Sequence, residues 1–362
     1  MHKARRSPTS PSPFDTSTPV LLLGGMENSL AITRNLARHG ITVRVSGLPN
    51  SCWALRSRYC HQSFAVPENV SSNDYWKELL LPASGNSPLH GHVIFACNDE
   101  AVEFLADLRD ALAPHYILDD FDPELQHAML DKQKTLELAQ SIGVASPRFW
   151  KLSSIKDIEK IRNEVAFPAI VKPVHSHKFL QLLNCKLFII EQDFNELKEK
   201  ATLALARGLE IIVVEMLPGP DTQLQSYSTY IDHNGKPLFH FTKRVIRRYP
   251  IGFGGGCYHI SEWFPDVAEL GKKFFAGIGF HGMATIEFKR SPDLKIIEVN
   301  ARFSAPHELA IRCGMPMDLI VYRHLTGQPL SEQTEFEQFR GLLAPMQDFL
   351  AFLQLRKKGE MT

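Results

Sequence analysis

The chain has 362 residues, 44% of them hydrophobic and 22% charged, an ordinary composition for a soluble protein of two or three domains at roughly 100–200 residues each. Lys+Arg and Asp+Glu both number 40, and this neutral balance excludes neither fold nor enzyme but argues against nucleic acid or an anionic membrane as partner. Six scattered cysteines lack Cys-x-x-Cys or metal-finger spacing, and no apolar run reaches the ~18 residues of a membrane span, so a reduced, cytoplasmic setting is expected.

Residues 1–18 are basic and then rich in Pro, Ser and Thr, without the apolar segment of a secretory signal, and read as a disordered tail. PVLLLGG follows, with an all-apolar run at Val20–Leu23 that suits a strand buried on both faces. A helix is expected over about residues 29–39, closed by Gly40, and then the strand ITVRVSG. This β–α–β order predicts a parallel sheet with a right-handed crossover. HVIFACNDE is a further buried strand ending in Asn98-Asp99-Glu100, and polar loops at strand C-termini are where open α/β sheets hold ligands. The Gly24-Gly25 pair is not Gly-x-Gly-x-x-Gly; it reads as a tight strand-to-helix turn or a substrate loop, and it argues against a nicotinamide-dependent oxidoreductase.

Asp131-Lys132 opens a helix ended by Gly143. FPAIVKP is a strand carrying one lysine, Lys172; EIIVVEM is a strand ending at Glu215 and turned by Pro218-Gly219. Two strands joined at Asn234-Gly235 span QSYSTY to RVIRRYP, followed by the glycine loop GFGGG, a helix at DVAELGKKFFAGIG and a final hairpin, MATIEFK and LKIIEVNARF. Residues 331–362 read as a C-terminal helical extension.

The last hairpin carries the most chemistry. Strand alternation puts Thr285, Glu287 and Lys289 on one face of the first strand, and Glu298 and Asn300 on one face of the second. Antiparallel pairing lets Glu287 and Glu298 face each other, an arrangement that repels unless a cation lies between. Two carboxylates and an amide oxygen are hard ligands suited to Mg²⁺ holding nucleotide phosphates; the other reading of the same spacing is a solvated sheet face. Arg302, two residues beyond Asn300, falls by alternation on that face and offers a clamp for phosphate or carboxylate. Lys172 in an apolar strand asks for a buried anion or for exposure. Around Glu215, Met216 and Leu217 the backbone could meet an adenine between aliphatic side chains. In FTKRVIRRYP the cations Lys243, Arg244, Arg247 and Arg248 precede the glycine loop and could take a carboxylate substrate, although alternation divides them between two faces.

In this order and spacing the segments Asp131-Lys132, FPAIVKP, VVEMLPG, TIEFK and IIEVNARF resemble the ATP-grasp superfamily, over about residues 126–330. LLLGG, the RSRY stretch and CNDE are similar to its carboxylate–amine ligase-like branch and, in outline, to the carbamoyl-phosphate synthase large-chain ATP domain. The resemblance implies an α/β chain: a Rossmann-like parallel-sheet domain (19–125), then an ATP-grasp fold of two α+β subdomains enclosing the nucleotide (126–330, with a small lid at about 145–217). It implies an ATP-dependent ligase forming a carbon–nitrogen bond, which activates a small-molecule carboxylate as an acyl phosphate and couples it to an amine. The alternatives are a carboxylate–thiol ligase and a non-catalytic ATP-binding sensor. By the same resemblance Lys132 and Lys172 contact phosphates, Glu215, Met216 and Leu217 form the adenine hinge, and Asp221 reaches the ribose. Glu287, Glu298 and Asn300 hold one or two Mg²⁺, or Mn²⁺, Arg302 stabilises the transferring phosphoryl group or acyl phosphate, and a homodimer is a common assembly. From the basic cluster itself, Lys243 and Arg244 are the further catalytic candidates. One departure stands out: the family's glycine-rich phosphate loop is replaced by KPVHSHKF, where His175, Ser176 and His177 take the place of glycines and His177 is the residue assigned to the phosphates.

Overall fold

The computed structural model describes residues 14–174, 182, 183, 185, 187–330 and 333–360. It divides into two compact units, one comprising the chain up to Asp120 with Arg302–Glu335, the other Phe121–Ala301 with the chain from Phe336 onward. No helix among the described residues is long and apolar enough to cross a membrane.

The first unit is built on a parallel sheet of β1 (Val20–Leu23), β2 (Val43–Gly47), β3 (Gln62–Ala65) and β4 (Val93–Ala96), in the order β3-β2-β1-β4. Every residue of β1 is buried, as its uninterrupted apolar run requires. Gly24 and Gly25 both have positive φ, and a side chain at Gly25 would stand 2.5 Å from Cys97 Cβ, so this pair makes a tight turn against the end of β4. Beyond the turn, Asn28 on the helix Glu27–Arg38 donates to the carbonyls of Cys97 (2.7 Å) and Phe303 (2.8 Å). Asn35 on the same helix donates to both oxygens of buried Asp318 at 3.0 Å, and His307 Nε2 lies 3.3 Å from that carboxylate. These bonds fasten residues 302–335 to the N-terminal sheet. Of the tail expected over residues 1–18, only 14–18 are described, and there Tyr322 donates to the Thr18 carbonyl (2.9 Å).

The second unit holds two antiparallel sheets. The smaller comprises β5 (Phe149–Leu152), β6 (Ala169–Pro173), β7 (Phe188–Ile190) and β8 (Ile211–Glu215), in the order β5-β8-β6-β7. Leu152, Ala169, Val171, Ile190, Ile211 and Val213 pack with the helices Ile155–Lys160 and Phe194–Ala206 on one of its faces. The larger comprises β9 (Leu224–Ile231), β10 (Phe241–Tyr249), β11 (Gly255–Ser261), β12 (Gly282–Arg290), β13 (Leu294–Asn300) and β14 (Gly341–Leu343), in the order β13-β12-β9-β10-β11-β14. Part of the expected GFGGG loop is thus strand, since β11 begins at Gly255, and the expected hairpin turn at Asn234-Gly235 is closed by Asp232, which accepts from the N–H groups of Asn234 (2.9 Å) and Lys236 (2.8 Å). The C-terminal segment adds β14 to the sheet edge and a helix at Pro345–Lys357.

Alternation gives the large sheet one oily face. Tyr227, Ala284, Ile286, Phe288 and Val299 pack with Val267, Ala268, Phe274 and Phe275 of the helix Pro265–Gly277. Gly271 on that helix lets it approach closely: an added Cβ would stand 2.4 Å from the fully buried ring of Tyr227. Helix propensity favours alanine over glycine by ~1 kcal/mol, whereas forcing a methyl into a packed core costs about 1–3 kcal/mol. Gly271→Ala is therefore expected to lower stability in denaturant unfolding by about 1 kcal/mol; a more stable variant would show that the helix–sheet spacing is not set here.

Candidate active site

The opposite face of the large sheet is polar. Reading across strands, Glu298 on β13 pairs with Glu287 on β12, Glu287 with Ser226 on β9, Ser226 with Lys243 on β10, and Lys243 with Ser261 on β11. Direct cross-strand partners project to the same side, so these five side chains form one lateral row at strand spacings of about 4.8 Å. A second row runs beside it: Asn300, Thr285 and Ser228, with the Ser228 and Thr285 hydroxyls 2.8 Å apart. Asn300 Nδ2 donates to Glu298 Oε1 at 3.3 Å. A bulge between Glu287 and Phe288 lets β13 carry an extra residue just past the carboxylate pair, while the pair itself stays in register.

Cations gather round these carboxylates. Lys243 is only 3% exposed, and burial pulls its ammonium below the usual lysine range while the charges of Glu287 and Glu298 work to keep it protonated. Lys172 shares its side of the small sheet with Ile212, its partner on β8. Burial, and then the neighbouring charge of Lys132, bring Lys172 down to about 8, against the opposing pull of Glu298. Lys132 itself is set at the start of the helix Lys132–Ser141 by Asp131, whose carboxylate accepts from the N–H groups of Gln133 (2.8 Å) and Lys134 (3.0 Å). Lys132, Lys172, Lys243, Glu287, Glu298 and Asn300 thus belong to one neighbourhood.

The segment after β8 is pinned from the same face. The Lys289 ammonium donates to the carbonyls of Leu217 (2.9 Å) and Gly219 (2.8 Å). Glu215 accepts from the Arg148 backbone N–H (3.1 Å), and the Met216 N–H reaches Pro168 O at 3.4 Å. Lys289 was visible in the sequence as the third polar residue of the Thr285, Glu287, Lys289 alternation, but nothing local named its partners.

Most of the other expected residues are engaged in ion pairs. Arg244 points away from the Lys243 row and pairs with Glu262 at 2.8 Å. Asp221, expected at a ribose, is held by Arg248 (2.7 Å). Alternation from Lys243 to Arg247 is interrupted by register shifts between β10 and β11 on both sides of Arg247, one with the extra residue on each strand; Arg247 makes a two-point pair with Asp348 of the C-terminal helix (2.6 and 2.9 Å). β13 ends at Asn300, so Arg302 does not continue its face; it lies in the first unit, bonded to Asp99 at 2.6 Å. His177 lies outside the described residues.

The donor set fits a divalent cation. Two facing carboxylates in register with a carboxamide beside them are oxygen ligands whose mutual repulsion a hard cation relieves. Among the described residues no cluster of three His, Cys, Asp or Glu side chains offers a competing metal site.

No protein-family model matches the chain. Among curated proteins it is 21% identical over 231 residues to D-aspartate ligase from Enterococcus faecium (strain Aus0004), which covers 58% of this chain and 53% of that protein. It is 24% identical over 200 residues to the arginine-specific carbamoyl phosphate synthase large chain of Schizosaccharomyces pombe, covering 51% of this chain and 16% of that one. The chain therefore spans about half the length of the first relative and a small part of the second. Among solved structures, N5-carboxyaminoimidazole synthetase from Staphylococcus aureus, complexed with ADP, superposes with a TM-score of 0.69 at 16% identity, over 96% of this chain and 87% of that one. The chain has the ATP-grasp fold. In ATP-grasp terms the small sheet carrying Lys172 and the large sheet carrying Glu287 and Glu298 are the two α+β parts anticipated from the sequence.

Lys172 gives a test that needs no ligand. Its folded pKa, about 8, is below the unfolded value, so the unfolded chain binds more protons between the two. The cost of the buried ammonium is full below pH 8 and fades as the pH rises through that window. Lys172→Met should therefore raise stability in denaturant unfolding at pH 7 and bring a much smaller gain at pH 10; a loss at pH 7 would contradict a lysine that desolvation holds below its usual range.

Proposed function

We propose that this chain binds Mg-ATP over the polar face of the large sheet and uses it to activate a small-molecule carboxylate for capture by an amine. The observation that supports this reading most directly is the in-register row Glu298, Glu287, Ser226 and Lys243, with Lys172 and Lys132 close by. Lys132 and Lys172 take phosphate oxygens, Lys172 also lying towards the base, and the segment Glu215–Leu217, anchored by Lys289, receives the adenine. Glu287, Glu298 and Asn300 hold one or two Mg²⁺, which when bound neutralise charge on the phosphates. Lys243 orients the acid.

A carboxylate oxygen attacks the γ-phosphorus, the bond to the β–γ bridging oxygen breaks, and ADP leaves an acyl phosphate. The amine nitrogen then attacks the carbonyl carbon, loses a proton, and inorganic phosphate departs with the C–O bonding pair. Positioning and charge neutralisation carry most of phosphoryl transfer; the lysines, and a metal held by the paired carboxylates, would provide them. The relatives named D-aspartate ligase and carbamoyl phosphate synthase favour carboxylate and amine as the reacting groups. In this reading His177, from the stretch that stands where ATP-grasp enzymes have glycines, takes a phosphate oxygen.

The test is Mg²⁺-dependent formation of ADP and phosphate from ATP, screened with pooled carboxylic acids and amino acids. Glu298→Gln removes a ligand charge while keeping shape and should reduce the turnover found by at least about 100-fold. Wild-type rates in that variant would remove the metal assignment.

A further inference from the structure

The basic stretch of β10 does not act as one cluster. Arg244 is engaged by Glu262, Arg247 by Asp348 and Arg248 by Asp221, whereas Lys243 looks along the carboxylate row. Two polar atoms flank it. Ser226, its partner on β9, is 2% exposed, and its hydroxyl has no hydrogen-bond partner among the described residues. His259 on β11 is paired with Val245, two residues on from Lys243, and so shares the Lys243 face. It is 7% exposed; its ring interacts with the Gly256 backbone, while Nδ1 has no hydrogen-bond partner among the described residues. Its ring lies against Gly256, where an added Cβ would stand 2.2 Å from Cε1, so the glycine is what admits the imidazole. Buried polar atoms are nearly always bonded; two of them beside a buried ammonium mark a place built for something that supplies their partners.

We infer that Lys243, Ser226 and His259 form the subsite for the acid substrate, and that it takes a small carboxylate with an uncharged hydroxyl next to the carboxyl group. This rests on the ligase reading above. A carboxylate accepts from the Lys243 ammonium and the Ser226 hydroxyl, two donors on adjacent strands. Ser226 is also the row neighbour of Glu287, so the bound carboxylate lies beside the residues assigned to the metal and the transferring phosphoryl group. Burial and the charge of Lys243 press His259 to a pKa of about 3, so its ring is neutral under ordinary conditions. A neutral imidazole nitrogen can pair with a hydroxyl in either direction, whereas an ammonium at that point would meet the charge of Lys243.

The test uses the full chain with ¹⁵N-labelled histidine, the His259 signal being assigned through His259→Asn. Acetate, lactate, alanine and, as control, chloride are titrated with and without Mg-ADP. Lactate should shift the His259 signal saturably and half-saturate at a concentration at least threefold below acetate, with alanine weaker than lactate. Ser226→Ala and Lys243→Met, two independent variants, should each raise the half-saturating lactate concentration at least tenfold. An unresponsive His259 signal, an equal response to chloride, unchanged lactate binding in Ser226→Ala, or alanine tighter than lactate would each overturn the assignment. Nucleotide binding is read separately, so a chain that binds no Mg-ADP removes the ligase reading while the carboxylate titration still decides the subsite.

Discussion

Two glutamates held face to face across a β-ladder are an electrostatic liability, and the second unit is organised around answering it. Glu287 and Glu298 are direct register partners, so their charges repel across the ladder unless positive charge lies nearby. Lys243 brings one such charge along the row and Lys172 another from the small sheet. For both lysines desolvation works against the charge, and Lys243 is nearly fully buried. On this face the Ser226 hydroxyl and His259 Nδ1 are buried without partners among the described residues, and the ligands proposed above would supply partners to them.

The other face of the same sheet makes that arrangement affordable in structural terms. Tyr227, Ile286, Phe288 and Val299 alternate with Ser226, Glu287 and Glu298, and they lock the strands to a helix whose Gly271 allows close contact. Because side-chain direction alternates strictly, burying one set fixes the register of the other, and a slip of one residue would turn the carboxylates into the core. At the edge, the C-terminal segment adds β14 beside β11, and Gln354 accepts from the Ile251 N–H at 3.0 Å. Together with the Arg247–Asp348 pair, this steadies the turn that leads into Gly254–Gly256.

What the sequence made legible was what period and local chemistry decide. The all-apolar β1, the Asp131 cap ahead of Lys132, and the alternation of Thr285, Glu287 and Lys289 opposite Glu298 are each determined within a few residues. What it hid depends on distant partners. In FTKRVIRRYP alternation already separates the cations between two faces, but their partners Glu262, Asp221 and Asp348 lie elsewhere in the chain and could not be read locally. For Arg302, alternation gives no guide, because β13 ends at Asn300, and its partner Asp99 lies 203 residues away in the chain. Ser226 and His259 drew no notice because a serine or histidine in a strand has no meaning until its cross-strand neighbours are known.

The central claim is that the Glu287–Glu298 face is where this chain holds a metal-bound nucleotide. Crystals grown with Mn²⁺ and a non-hydrolysable ATP analogue test it directly, because Mn²⁺ can be located by its anomalous scattering. The account predicts an anomalous peak within about 2.3 Å of carboxylate oxygens of both glutamates, with the triphosphate reaching Lys172. Nucleotide at the Gly24-Gly25 turn of the parallel sheet, with no metal between Glu287 and Glu298, would contradict it.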